Sequence, residues 1–519
     1  MKKLYTLLFA ATASLSVSAQ DYKDVAGIFY SRCTSCHHEN QHMQSMLNYS
    51  ETYPWITKIQ TDLTIGKMPP WSPDTNYTRF LHERTMPLVE RNAILNWISA
   101  GALKGDTTLA PPAPTYTKYE LQGTPDLILR IPAFASNAGT SDVYDCFAIP
   151  TGLTADRIIR AYEVIPGNAA IVHHVVVKVD TVGNVNSDLS GSCFTEPGNF
   201  DLGVWAPGSA PTIFPGQAPL KMGIRLKANS KLILQIHYPK GTGGQLDSTC
   251  IRIYFYPTSA TGIRPVYVNT ILQNWSMAIP ANTTLPYTAS YTLPYGFSIY
   301  ATFPHSHFIC KSMLVYAYKA SPIDTIPLIR INNWDFNLQG FYTFPKMVKV
   351  PSGYKLFTKH VYDNTTNNPN NPSSPPVLVT AGTSTNNEML FDSFQYLAYQ
   401  AGDENIDIGS LFANDTLLNT SVNEVSPIHI QSYSFPNPFN DFVKIGYELT
   451  RSAETSVSVY NIYGSKVKTL SSQYNSAGAY SVNWDGRNET GTKVPAGIYF
   501  YSIRAGKSTT SGKIMLMPK

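Results

Sequence analysis

Ile171-Val-His-His-Val-Val-Val-Lys178 is a β-branched run that reads as a strand, yet it opens on two adjacent imidazoles. Three more stretches set the same conflict: Leu232-Ile-Leu-Gln-Ile-His-Tyr238, Phe303-Pro-His-Ser-His-Phe308 and Asn386-Asn-Glu-Met-Leu390. Five of the eleven histidines thus lie inside apolar, β-branched or aromatic runs. A buried imidazole needs partners for both ring nitrogens. A shared metal satisfies several rings at once, so His173, His174, His237, His305, His307 and Met389 read as metal ligands on a β scaffold. Residues i and i+2 of a strand face the same way, so His305 and His307 can hold one ion from a single strand. Adjacent His173 and His174 face opposite ways unless a strand end or a bulge intervenes. Imidazoles with a thioether suit copper better than zinc or magnesium.

At 519 residues the chain has room for roughly three or four domains. With 43% hydrophobic residues, 37 Pro, 33 Tyr and only 14% charged residues, it reads as ordered and strand-rich. A net charge of +4 over this length makes no basic stripe, which argues against nucleic acid or an anionic membrane surface as partner. Met1-Lys-Lys, the apolar run Leu4 to Val17 and Ser18-Ala19 form a secretory signal over residues 1–19. Its apolar part is too short for a permanent span, and no later run is long enough, so no transmembrane segment is expected. Export through the Sec pathway leaves the remaining cysteines where disulfides persist.

Cys33-Thr-Ser-Cys-His37 is the C-x-x-C-H pattern in which two thiols bind haem covalently and the histidine binds iron. In Gly66-Lys-Met-Pro-Pro-Trp71, prolines hold an extended loop that offers Met68 as sixth ligand. A helix over Asp24 to Arg32 leads into the motif. Leu88, Ile94, Leu95, Trp97 and Ile98 mark the apolar face of another, ending near Gly101. His38 and His42 are rival axial ligands, read as surface residues. Residues 20–108 resemble a class I c cytochrome, which implies a small all-α domain with one covalently bound haem c held by Cys33, Cys36, His37 and Met68. Residues 109–118 form a Pro-rich linker.

Between residues 119 and 400, β-branched runs bounded by Gly, Pro, Asn and Asp predict antiparallel sandwich strands in two subdomains, 119–265 and 266–400. The His-His, Gln-Ile-His-Tyr, His-x-His and Asn-Glu-Met segments, in this order, resemble the copper type II, ascorbate-dependent monooxygenases, the family of peptidylglycine hydroxylase and dopamine β-hydroxylase. The resemblance implies two jelly-roll-like subdomains with one copper each, facing across a cleft. It assigns His173, His174 and His237 to an electron-transfer copper, and His305, His307 and Met389 to a catalytic copper that binds dioxygen. It also implies a disulfide bracketing the His-His pair, Cys146 with Cys193, leaving Cys250 and Cys310 bonded to each other or free. Peptide-amidating members carry a basic side chain two residues before His-x-His and polar or phenolic residues just past the methionine. Phe303 and Leu390-Phe391 stand there instead, which argues against a peptide carboxylate and for a more apolar pocket, the substrate being an unknown small molecule or apolar compound. Trp334-Asp-Phe-Asn337 and the Asn-rich loop after Tyr362 read as structural turns.

A polar linker over 401–428 precedes short alternating strands over 429–519. Phe435-Pro-Asn-Pro-Phe439, Val459-Tyr-Asn-Ile-Tyr-Gly464, Trp484-Asp-Gly486 and Pro495-Ala-Gly-Ile-Tyr499 resemble the C-terminal sorting domain of type IX secretion. The expected whole is multidomain: a small all-α cytochrome c domain, two antiparallel β-sandwich copper subdomains, and a C-terminal β-sandwich. The expected function is hydroxylation of a C–H bond with dioxygen by a secreted or cell-surface protein holding two copper ions and one haem c. Electrons would come from an ascorbate-like reductant or a redox protein, through the haem, to the His173, His174 and His237 copper first. The rival expectation is a non-catalytic haem and copper protein for electron transfer or copper handling.

Overall fold

The structure, a computed structural model, describes residues 21–38, 44–116, 119–193, 200–207, 209–413, 415–418, 430–449, 453–475, 478–505 and 508–518. The expected signal 1–19 and His42 lie outside these residues. The chain is mainly β and falls into two compact units, divided between Leu418 and Asn419. Among the described residues no helix is long and apolar enough to cross a membrane.

The first unit opens with a helical lobe: α1 (Tyr22–Arg32), α2 (Tyr49–Thr52), α3 (Ile56–Thr64) and α4 (Leu88–Ser99). Asp21 and Asp24 form a capping box at the start of α1. Helix α4 stops where Gly101 takes φ +98, a left-handed backbone that glycine adopts without strain. Phe29, Ile94 and Trp97 are fully buried together in the lobe core, whereas Leu88, expected on the same apolar face, is 64% exposed.

Among the described residues, sixteen strands of four or more residues carry the rest of this unit. The first eight are β1 (Leu127–Arg130), β2 (Val143–Pro150), β3 (Arg157–Ile165), β4 (His174–Asp180), β5 (Phe200–Trp205), β6 (Leu220–Leu226), β7 (Lys231–Tyr238) and β8 (Cys250–Phe255). They form two sheets, β1-β8-β3-β6 and β2-β7-β4-β5, over one shared core. The next eight are β9 (Tyr267–Gln273), β10 (Thr283–Thr292), β11 (Phe297–His305), β12 (Cys310–Ala320), β13 (Ile323–Ile331), β14 (Tyr342–Val350), β15 (Lys355–Asn364) and β16 (Phe391–Ala398). These make the sheets β9-β16-β11-β14 and β10-β15-β12-β13, again over one core. Tyr300 and Leu397 of the second sandwich are buried in the core of the first, so the two sandwiches share an apolar seam. Residues 403–418 fold back on this unit: Asp403 pairs with Arg264 at 2.6 Å, Asp415 pairs with Arg160, and Ile408 and Leu411 enter the first core.

A disulfide joins Cys146 to Cys193, as the family resemblance implies, tying a loop to β2 beside the strand that carries His237. Cys250 and Cys310 are buried and not disulfide-bonded.

The second unit packs the sheets Ile430–Phe435, Val443–Leu449, Gly478–Trp484 and Lys466–Asn475, Ala453–Asn461, Gly497–Ala505, Ser508–Leu516. Its quoted motifs meet in its core, where Trp484 lies against Phe439 at 5.6 Å and Tyr499 at 5.0 Å. Asn461 accepts from the backbone N–H of Tyr463 and of Ser465, closing the Tyr-Asn-Ile-Tyr-Gly turn.

Candidate metal centre

Strand β4 begins at His174, so its neighbour His173 lies off the pleat, and the opposite-face problem disappears. His237 on β7 stands directly opposite His174 in the antiparallel ladder, which puts the two on one face. The His173 backbone N–H donates to the His237 carbonyl at 3.0 Å, bringing the third ring in from the strand end. The result is a convergent set whose ligand atoms all lie within 4.8 Å of one another. His173 Nδ1 is 3.1 Å from His174 Nδ1 and 3.2 Å from His237 Nδ1. Two nitrogens on one ion at about 2.0 Å, subtending roughly 90–120°, stand about 2.8–3.5 Å apart. The set therefore fits one metal bound through Nδ1.

Its electrostatics agree. Burial, with the nearby His173 ring, lowers His237 to about 3. Burial, followed by repulsion from His237, His173 and His305, holds His174 well below the ordinary histidine range. These rings are neutral at pH 7 and present lone pairs. Buried His237 Nε2 lies 3.3 Å from Asp142 Oδ2 but off the line of a hydrogen bond, and the Tyr144 ring stacks on His237 at 4.3 Å.

The second set is built differently. Strand β11 ends at His305, so His307 lies beyond it and the pair does not share a strand as the spacing predicted. The reason is Glu388, whose carboxylate accepts the N–H of His307 at 2.9 Å, Ile309 at 2.8 Å and Met389 at 3.1 Å, drawing the chain out of the ladder. The two rings still stand 5.3 Å apart. His307 Nδ1 donates to the Asn387 carbonyl at 3.0 Å, and His305 Nδ1 donates to Gln339 Oε1 at 2.5 Å. The Gln339 amide is oriented by its own N–H donation to the Phe336 carbonyl. Both Nδ1 atoms being used as donors, each ring keeps its lone pair on Nε2. Burial lowers His305 to about 4 and His307 to about 3, and it lifts Glu388 to about 8 against its backbone donors.

Met389 is brought to this pair by its backbone: its carbonyl accepts from Ser306 Oγ and from Tyr362 OH, each at 2.7 Å. Below, Ser306 Oγ hydrogen-bonds His360 Nδ1 at 2.9 Å, and His360 Nε2 lies 3.3 Å from Asp392 Oδ1. Serine, histidine and carboxylate in this order resemble a hydrolytic relay, but all three are fully buried, which leaves them a supporting role. Phe303 stacks on His305 and Phe336 lies edge-on to His307, with Phe341 beside Phe303 and Phe391 opposite His305 in the ladder, and Trp275 lies edge-on to Phe391 at 4.9 Å while 51% exposed. The Trp334 indole N–H donates to the His307 carbonyl at 3.0 Å, so the Trp334–Asn337 turn supports the site as well as reversing the chain. His305 acts on His174, and Asp201 of β5 acts on His305, so the two imidazole sets lie within electrostatic range of each other.

In the helical lobe the Cys33 and Cys36 thiols are not joined to each other. His37 is held by α1's last turn through its N–H to the Cys33 carbonyl at 2.9 Å. Its Nδ1 donates to the Gln44 carbonyl at 3.1 Å, leaving Nε2 as the ligand atom. Two free thiols and an oriented imidazole fit a covalently attached haem. Met68 follows α3, its N–H 3.3 Å from the carbonyl of Asp62, the residue whose charge acts on His37. His38, read as a surface residue, is instead buried at 4% exposure and stacked on Tyr116 at 4.2 Å.

Gln339, His360, Tyr362 and Asp392 lie in none of the ligand segments read from the sequence. Ser306 and Glu388 lie inside them, but nothing local marks either as a support of the site.

Residues 440–510 match the FlgD Ig-like domain family. No curated protein matches the chain. Solved structures with similar stretches include dimeric latent PorU from Porphyromonas gingivalis, at 11% identity and TM-score 0.17, covering 73% of this chain and 34% of that one. The VP2 subviral particle of infectious bursal disease virus has 9% identity and TM-score 0.17, covering 57% of this chain and 77% of that one. A Lactobacillus rhamnosus β-glucuronidase has 8% identity and TM-score 0.12, covering 46% of this chain and 36% of that one.

Proposed function

We propose that this chain is an exported copper monooxygenase that hydroxylates a C–H bond of a small apolar substrate, with electrons supplied in part through a haem c of its own. The observation that carries this reading is the pair of unlike ligand sets: three Nδ1 atoms converging in one sandwich, and in the other two Nε2 lone pairs flanking Ser306, to which the Met389 backbone is tied. One all-imidazole site and one site with a thioether suit two coppers with separate tasks. Copper at the second set supplies the one-electron cycle between Cu(I) and Cu(II) needed to activate dioxygen. The overall balance places one oxygen atom in the C–H bond and releases the other as water, consuming two electrons and two protons.

The chain's own residues do the rest. Gln339 and Asn387 fix the ring tautomers, and Glu388 holds the loops of His307 and Met389 together. The phenyl walls exclude water and admit a neutral substrate, and Phe303 and Phe391 offer no charge to a carboxylate. Cys33, Cys36, His37 and Met68 would hold the haem. The C-terminal unit would act as the type IX sorting domain, delivering the protein to the outer cell surface.

The test is incubation of the copper- and haem-loaded chain with ascorbate, labelled dioxygen and a panel of apolar small molecules. A product heavier by one labelled oxygen is expected. Absence of labelled product from a chain holding both coppers would favour electron transfer or copper handling instead. His305→Ala and His173→Ala should each lose one of the two coppers in metal analysis, and loss of both or of neither would contradict separate sites.

A further inference from the structure

We propose that Trp71 and Tyr342 form the electron-transfer contact between the haem-binding lobe and the second metal set, so that haem electrons enter at His305, His307 and Met389. This rests on the function proposed above. It differs from the entry at His173, His174 and His237 that the family order suggests.

Trp71 lies three residues after Met68, and from there the chain leaves the helical lobe. The segment to Leu81 is stitched onto the open edges of the second sandwich. The Asp74 N–H donates to the Arg330 carbonyl on β13 and the Leu81 N–H to the Thr343 carbonyl on β14, each at 2.8 Å. Pro73 bridges Ile331, and Phe80 is buried in the second core. The Arg330 guanidinium lies over the Tyr77 ring at 4.2 Å and 3.7 Å from the Asp74 carboxylate. The contact is therefore anchored on both sheets, not made by one mobile tether.

Through it runs a short path. Trp71 meets Tyr342 edge-on at 5.4 Å, and Tyr342 OH donates to the Leu338 carbonyl at 3.4 Å. Leu338 is bonded to Gln339, whose Oε1 accepts from His305 Nδ1 at 2.5 Å. Tyr342 also pairs with Thr302 in the ladder, three residues before His305. Trp71 Nε1 is buried with no acceptor among the described residues, a cost that phenylalanine would avoid, so packing alone does not explain an indole there.

The other connection leads elsewhere. Tyr116 is held to the lobe by Thr34 at 2.8 Å, and past it Tyr119 lies under Arg252 of β8 while Leu121 binds Glu163 of β3. Those strands belong to β1-β8-β3-β6, the sheet opposite the one carrying His174 and His237. With both groups bound, each transfer would move one electron from ferrous haem held by Cys33, Cys36, His37 and Met68, leaving it ferric, to one Cu(II) held by His305, His307 and Met389, leaving it Cu(I). No bond breaks and no proton moves.

The test uses the full chain with haem attached and copper loaded, without oxygen, the haem being reduced by a light pulse and its absorbance followed. Haem reoxidation should persist in His237→Ala and disappear in His305→Ala. In Trp71→Leu it should slow by about tenfold or more, the effect of one log unit of added barrier, while ascorbate still reduces the copper seen by electron paramagnetic resonance. Trp71→Phe, which keeps an aromatic ring in the contact but loses the indole, should fold and reoxidise its haem at a rate between those of the unmodified chain and Trp71→Leu, separating conduction from misfolding. Reoxidation that requires His237 but not His305, or a wild-type rate in a folded Trp71→Leu chain, overturns the proposal. If His305 and His307 hold no copper in the unmodified chain, the proposed function falls and this inference with it. Copper held there beside a silent haem overturns the inference alone.

Discussion

His305 and His307 use Nδ1 as a donor to fixed oxygens, whereas His173, His174 and His237 turn Nδ1 inward toward one another. The same side chain thus offers a different ligand atom in each sandwich, decided by what the other nitrogen meets. Neutrality of these rings has a measurable consequence. In the unfolded chain they take up protons near 6.5, but in the fold only at about 3 for His237 and His307 and about 4 for His305. Between those values the unfolded state binds more protons, so this contribution to stability is complete above 6.5 and is lost as pH falls toward 4. Glu388, raised from 4.5 to about 8, acts in the opposite sense, its contribution falling as pH rises through that window. Glu120, Glu163 and Asp145, raised by burial, act with Glu388, while His37, His82 and His174, lowered by burial, act with the three rings, so six imidazoles stand against four carboxyls. The metal-free protein should therefore melt at progressively lower temperature on acidification from pH 6.5 toward 4, and His305→Gln should show a shallower decline. A melting temperature that rose on acidification would contradict the burial of neutral imidazoles.

Among the elements, the junction of β11 with the loop before β16 depends most on one side chain. Glu388 is 1% exposed and satisfies the N–H groups of His307, Ile309 and Met389 at once. Glu388→Ala leaves those donors buried without acceptors, a loss of roughly 2–4 kcal/mol by the cost of unsatisfied buried groups. Denaturant unfolding of the metal-free chain should show that loss, and copper titration should show weakened binding at the second set with the three-histidine set unchanged. A fall of less than about 0.5 kcal/mol, the range of ordinary surface changes, would remove Glu388 from this role. The strands carrying His174, His237 and His305 were legible because β-branched runs bounded by turn residues have few alternatives. Helix α4 was legible from its spacing, although exposed Leu88 shows that the apolar stripe is narrower than the sequence suggests. The clamps were not legible. Gln339 reaches His305 across 34 residues and His360 reaches Ser306 across 54, and no local propensity encodes a meeting set by sheet packing. His307 was placed on the strand for the same reason, since only the tertiary position of Glu388 takes it off.

At the scale of the whole molecule, the chain divides by function as well as by contact. Every proposed ligand lies before Leu418, and the unit that follows has its own core around Trp484, with Phe439, Tyr499 and Ile503 buried beside it. Residues 403–418 belong to the first unit, because Asp403 and Asp415 pair with Arg264 and Arg160 and Ile408 fills the first core. Among the described residues, neither sandwich core includes a side chain after Leu418. If the C-terminal unit is a sorting device, as its motifs suggest, the mature surface protein should lack it, and mass spectrometry of native material should find a C-terminus upstream of Ile430. A recombinant chain ending at Leu418 should bind the same two coppers and the same haem, with the melting temperature of its copper sandwiches within about 1 °C of the full chain, the insensitivity expected when each unit folds on its own core. Intact Lys519 on cell-surface protein would contradict the sorting role. Copper lost on truncation would contradict the independence of the two units, so the two claims fail separately.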